Sequence, residues 1–220
     1  MLTKNKNWLT NKRTSCILIS NKEFPAYRKV VEMSKKISTK SIILIGMFAA
    51  VLAVMAQISI PMPSGVPITL QTFGVALTGT ILGHKLGTGA VFTYLAIGGV
   101  GMPVFSNMSG GFASFVGKTG GFLIGFLFMV WFCGFGVQWE DKKLCLLYNT
   151  LGLVICHICG TAQFSFLTGM GFWESALLVS VPYFIKDGLS VIAAIAVGSQ
   201  VRKRLASAGL LERKVILESE

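Results

Sequence analysis

Apolar residues gather in long blocks along this chain. Residues 41–60, 68–83, 87–105, 119–138, 144–168 and 175–200 form six such blocks, parted by charged or Gly/Pro-rich positions. A helix needs roughly 20 apolar residues to cross a bilayer, and fewer when polar side chains line an interior cavity. Six spans are therefore predicted, and an even number puts both termini on one side. The sixth block is interrupted by Pro182, Lys186 and Asp187. Its first part, "ESALLVSVP", reads as a short interfacial helix, which leaves about 183–200 as the span.

The breaks alternate in character. "GHKLG" at 83–87 and "WEDKK" at 139–143 are short, whereas "SIPMPSGVP" at 59–67, "GGVGMPVFSNMSGGFASFVGKTGG" at 98–121 and "TGMGFWE" at 168–174 are rich in Gly or Pro. Irregular backbone at membrane depth is tolerated only where it is buried in protein or lines a cavity. One face of the bundle is thus expected to hold a binding pocket with a lid. Charge chooses which face, because Lys and Arg favour the cytoplasmic side. With the basic N-terminal stretch inside, eighteen of the 20 basic residues are cytoplasmic and only Lys118 and Lys186 face outward. The expected architecture is an all-α integral membrane protein, a compact bundle of six transmembrane helices with an outward-facing ligand pocket and both termini cytoplasmic.

Composition agrees. Hydrophobic residues make up 53% of the chain, charged residues 13%, and mean hydropathy is +0.68, outside the range of ordinary soluble domains. The net charge of +11 follows the positive-inside pattern, so nucleic acid is not expected as a partner. Residues 1–40 read as a basic cytoplasmic tail, since "CILIS" at 16–20 is too short to span and no small-residue cleavage site follows it. Residues 41–202 form the membrane domain and 203–220 a C-terminal cytoplasmic tail.

Candidate chemistry is sparse. Of Cys16, Cys133, Cys145, Cys156 and Cys159, four lie in or beside apolar blocks, where thiols serve as small hydrophobes. "CHIC" at 156–159 has CxxC spacing, but tetrahedral zinc needs four ligands and the only other histidine is His84. Packing is the expected role, with no metal or cofactor. "GKT" at 117–119 fails as a P-loop because the preceding glycine, Gly111, is one residue too far away. Any energy input must then come from a partner or an ion gradient. Gly46 with Ala50, and Ala49 with Ala53, make small-residue ridges on the first span that suit either internal packing or docking of another membrane protein.

Polar groups inside the blocks need partners. Thr69, Gln71 and Thr72 head the second span; helix capping accounts for the threonines, while the amide of Gln71 can both donate to and accept from a ligand. Tyr94 and Phe105 flank a Gly-rich stretch and offer either aromatic walls or interfacial anchors. Lys186 and Asp187 are either a snorkelling lysine and a helix-start aspartate or part of a site. Neighbours on a helix point about 100° apart, so they are not expected to pair with each other.

"GVPITLQTFGVALTGTILGHKLG", "YLAIGGVGMPVF", "GKTGGFLIGF" and "VPYFIKDG", in that order, resemble the BioY family over about residues 40–202. These are the biotin-binding S components of energy-coupling factor transporters. The resemblance implies six helices, biotin as substrate, a pocket near the extracytoplasmic face, and a partner module of a membrane coupling protein with two cytoplasmic ATPases. It also implies that the ridge of Gly46, Ala49, Ala50 and Ala53 meets the coupling protein, Ala49 and Ala53 above all. Given biotin, its chemistry needs an acceptor such as Asp187 for the ureido N–H groups and a polar group such as Gln71 or Thr69 for the ureido carbonyl. Tyr94, Met102, Phe105 and Tyr183 would be walls, and Lys186 or Lys118 the cation for the carboxylate. The family commonly has a lysine three positions after the aspartate, where this chain has Ser190. The implied activity is biotin uptake across the cell membrane by a non-enzymatic subunit. Alternatives are an S component for another vitamin, an intramembrane enzyme using Asp187 with His157 or a cysteine, and a solitary ion-coupled carrier; the second is disfavoured because those residues sit on different parts of different spans.

Overall fold

A computed structural model describes residues 38–138 and 142–211. Contacts divide the chain into Met1–Ile42 and Ile43–Glu220, and the packing below is that of the second unit. Most of the basic tail, and the residues after 211, lie outside the described residues.

Helix α1 (Thr39–Gln57) leads into strand β1 (Ser59–Ile60), which pairs antiparallel with β2 (Ile68–Thr69), Ser59 opposite Thr69. Then come α2 (Gln71–Gly99), a 3-10 turn at Ser106–Met108, the single turn α3 (Ala113–Val116), α4 (Gly120–Gly136), α5 (Lys142–Thr168), α6 (Phe172–Val179) and α7 (Val181–Ser207). The small hairpin amends the all-helical expectation: backbone groups flanking the 61–67 loop bond to each other.

α2 is broken at Gly83, whose φ of 78° and ψ of 178° leave the helical region. A side chain is strained at such a φ, so glycine suits the break. The last carbonyls before a break lack helical partners, and Arg202 Nη1 donates to Ile81 O at 2.6 Å. The halves, 71–82 and 84–99, overlap the expected 68–83 and 87–105. The second half ends six residues before the expected 105, because Gly101 (φ 113°) and Pro103 turn the chain. Pro182 lies in the first turn of α7, where its missing N–H removes no helical bond, and α6 precedes it as the expected short helix.

Among the described residues three helices, Thr39–Gln57, Lys143–Thr168 and Val181–Ser207, are long and apolar enough to cross a membrane; Gly120–Gly136 is apolar but shorter. Large apolar side chains also cover the outside, Phe92, Leu189 and Ile192 among them. Such a surface suits lipid and not water. Inside, Leu52, Val75, Val91, Met129, Leu153 and Val191 bring α1, α2, α4, α5 and α7 into one core. Close approach is set by small residues: a Cβ on Gly79 would lie 2.7 Å from Cys133 Cβ, and one on Gly125 would lie 2.9 Å from Cys156 Cα. Cys133 and Cys156 are buried free thiols in these contacts.

The ridges of α1 separate. Ala49 is buried in the core with Leu52 and Ala56, and Ala53 packs against it. Their expected place on a docking surface is therefore corrected: these two alanines let α1 approach its own bundle. Gly46 and Ala50 are exposed, on a face shared with Ile43, Met47 and Val54.

Candidate functional site

Buried positions on α7 are Tyr183, Asp187, Val191, Ala194 and Gly198, a stripe at spacings of four, four, three and four that faces the bundle. Asp187 lies on this stripe and is 4% exposed. Lys186, one residue earlier, falls at its edge with 30% of its side chain exposed.

These neighbours do form an ion pair, Lys186 Nζ with Asp187 Oδ1, which corrects the expectation from helical geometry. The 100° rule describes where Cβ atoms point; the four-carbon stem of lysine lets its head group turn back. The same Nζ donates to Thr69 O at 2.6 Å, so one charge ties α7 both to its own aspartate and to β2. The other carboxylate oxygen, Oδ2, lies 3.3 Å from His157 Nε2 on α5. His157 and Asp187 were expected to lie apart; the approach of α5 to α7 brings them together. Paired opposite charges leave this end of the site close to neutral.

A second polar group faces it from α2. Thr69 Oγ1 donates to Gln71 Oε1 at 3.0 Å, and Gln71 Nε2 donates to Tyr94 Oη at 2.7 Å, which in turn donates to Val104 O at 3.2 Å. The amide of Gln71 is thus held in one orientation. Phe105 packs edge-on against Tyr94, ring centroids 5.4 Å apart, and edge-on against Phe115 on the other side. Over the top, Tyr183 Oη donates to Val66 O at 2.6 Å and pins the 61–67 loop. The turn that resembled a P-loop is a structural element, its Phe115 and Gly117 carbonyls accepting from Gln163 Nε2 at 2.6 and 2.9 Å.

These groups surround one cavity. Thr69, Gln71, Phe105, Tyr183, Lys186 and Asp187 all line it. Three others do not. Tyr94 stands behind Gln71 as its support, Met102 is exposed on the loop after α2, and Lys118 is exposed with its stem lying against Gly65. Tyr94 and Met102 are therefore not walls of this cavity, and Lys118 lies outside its lining. Walls that the sequence reading missed are Phe122, Leu123, Phe126, Leu153 and Cys156, with His157, Thr72, Val66 and Pro67. His157 had a legible signal, since a buried imidazole in an apolar helix requires a polar partner. Among the described residues no group of three or more His, Cys, Asp or Glu is arranged to hold a metal ion.

The cavity therefore combines an apolar, aromatic body with one buried carboxylate, one fixed amide, an imidazole, a lysine head group and several hydroxyls. Such a site suits a small ligand that has an apolar ring and converging N–H and C=O groups.

The model of the BioY family matches residues 32–207. A probable biotin transporter BioY from Pyrococcus horikoshii is 32% identical over 166 residues, spanning 74% of this chain and 96% of its own length. The biotin transporter BioY of Thermotoga maritima is 33% identical over 165 residues, with the same two coverages of 74% and 96%. A crystal structure of the S-component for biotin from an ECF-type ABC transporter matches with a TM-score of 0.68 at 26% identity, covering 82% of this chain and 95% of that one.

Proposed function

The chain belongs to the BioY family, and we propose from that premise that it is a biotin-binding S component, the substrate-binding subunit of an ECF-type transporter that takes up biotin. It acts by binding and delivery, not by catalysis. Its six spans are α1, the two halves of α2, α4, α5 and α7, with residues 41–202 as the binding domain between two tails. Charge asymmetry supports cytoplasmic termini in the cell membrane and a pocket that opens outward beneath the β1–β2 hairpin.

Biotin presents two ureido N–H donors, one ureido carbonyl, an apolar thiophane ring and valeryl chain, and a carboxylate. Asp187 accepts from the N–H groups. The second amide hydrogen of Gln71 and the Thr72 hydroxyl face the carbonyl, with Thr69 holding Gln71. Phe105, Phe122, Phe126 and Tyr183 enclose the ring. Lys186 is already engaged by Asp187 and the Thr69 carbonyl, so it serves to orient the acceptor. Lys118, exposed against the 61–67 loop, is the cation at the mouth that meets the carboxylate.

Partners follow from the same reading: a membrane coupling protein with two cytoplasmic ATPases supplies the energy, and the exposed Gly46–Ala50 face of α1 is where it docks. The observation that carries the reading is the buried Asp187, held by Lys186 at the wall of an aromatic cavity. Isothermal titration of the purified chain with biotin, dethiobiotin, thiamine and riboflavin tests it. Submicromolar binding of biotin, with thiamine and riboflavin inert, is expected; tighter binding of either of those vitamins would transfer the fold to another substrate.

A further inference from the structure

Behind the aspartate runs a chain of polar groups that binding alone does not require. Thr161 Oγ1 lies 2.6 Å from Ser180 Oγ, Ser180 Oγ lies 3.2 Å from His157 Nδ1, and His157 Nε2 lies 3.3 Å from Asp187 Oδ2. All four residues are at least nine-tenths buried. They come from α5, the α6–α7 junction and α7, so the chain exists only in the folded bundle. The imidazole is also clamped edge-on by Phe122 and tilted against Phe184, centroids 5.8 and 5.6 Å away.

Direction follows from chemistry. A carboxylate can only accept, so the nitrogen facing it, Nε2, carries a hydrogen and donates. Nδ1 faces a hydroxyl, which can give or take and so accommodates the ring in that orientation. Oδ2 is thereby fixed by an α5 donor and Oδ1 by Lys186. The carboxylate plane cannot rotate without breaking one of the two contacts, and the remaining lone pairs keep one direction toward the cavity.

We propose that His157 is a positioning and specificity-determining residue: by donating from Nε2 to Asp187, with Ser180 and Thr161 fixing its ring, it aims the carboxylate at the two ligand N–H groups. This rests on the biotin reading above, and its effect is transmitted through Asp187. It predicts that the identity of the donor matters and the bulk of the ring does not. Glutamine, one carbon longer than asparagine, carries its amide nitrogen to about the Nε2 position; asparagine carries it only to that of Nδ1.

Biotin titrations of the purified full chain and of its His157→Leu, His157→Gln and His157→Asn variants decide the matter, together with Asp187→Asn and the Asp187→Asn/His157→Leu double change. Loss of a hydrogen bond to a charged group predicts roughly ten- to a hundredfold weaker binding for Leu and Asn, with Gln within about threefold of wild type. On the Asp187→Asn background, His157→Leu should change affinity by less than about threefold, because coupled residues are not additive. Equal affinities for Gln and Asn, or full additivity of the double change, overturn the inference while leaving biotin binding intact. Should the Leu variant fail to fold, the Gln and Asn comparison alone decides. A wild-type chain that does not bind biotin overturns the proposed function, and this inference with it.

Discussion

Replacing Lys186 by methionine separates its two possible duties. The change keeps the stem and removes the charge. In the native chain Nζ donates to Thr69 O at 2.6 Å and pairs with Asp187. Two charge-assisted contacts would contribute about 1.5–3 kcal/mol each. With 30% of the side chain exposed, water screens part of this, and a net loss of about 2–3 kcal/mol is reasonable. That corresponds to roughly 30- to 150-fold weaker binding. If Lys186 orients Asp187, the loss falls on the ureido end and is equal for biotin and for biotinamide, which lacks the carboxylate charge. Lys118→Met should instead weaken biotin by at most about fivefold, as exposed charges do, and leave biotinamide unaffected. Isothermal titration of both variants with both ligands reads the difference. An orienting role for Lys186 is refuted if Lys186→Met impairs biotin but spares biotinamide, for then Lys186 meets the carboxylate.

Asp187→Asn should weaken biotin binding tenfold or more with the thermal transition preserved; wild-type affinity would return Asp187 to a mere anchor at the membrane edge. Tyr94→Phe removes the hydroxyl that holds Gln71 to Val104, a loss of about 1 kcal/mol, seen as roughly fivefold weaker binding in the same titration. Gly79→Val places methyls where Cys133 already sits, and overpacking of about 1–3 kcal/mol should lower the unfolding temperature measured in detergent. Ala50→Leu enlarges an exposed position of α1, so biotin affinity should stay unchanged while co-purification with the coupling protein is lost; retained co-purification would move the docking face elsewhere.

Much of the fold was legible because a bilayer imposes length and charge rules on a sequence. The break at Gly83, the short helix before Pro182 and the apolar runs on either side of "WEDKK" all coincide with helix ends in the structure. What length and composition could not supply was rotation. Ala49 and Ala50 are adjacent and equally small, yet one is in the core and the other faces outward. Helices this uniformly apolar carry little amphipathic signal to say which side packs inward. The end of α2 was placed late for a related reason: "GGVGMPVF" is apolar enough to continue a span, and only its glycine and proline backbone turns it.

The site was legible to the extent that its chemistry is local. Asp187 and Gln71 were found because a polar group inside an apolar block must have a partner, and that requirement names a position without naming the partner. The partners come from tertiary structure: Lys186 meets a backbone carbonyl 117 residues away, and Asp187 meets an imidazole on another helix. The Lys–Asp neighbours diverge at their Cβ atoms, but a head group at the end of four methylenes turns back to pair. The position of Lys186, directly before the aspartate, also has a physical consequence. A lysine at 186 approaches the aspartate from the edge of the inward stripe, where it can also reach β2 and hold the hairpin over the cavity. On the proposed reading one charge both orients the acceptor and bonds to Thr69 of β2, so Lys186→Met should disturb the alignment of Asp187 while the Tyr183–Val66 bond still holds the 61–67 loop.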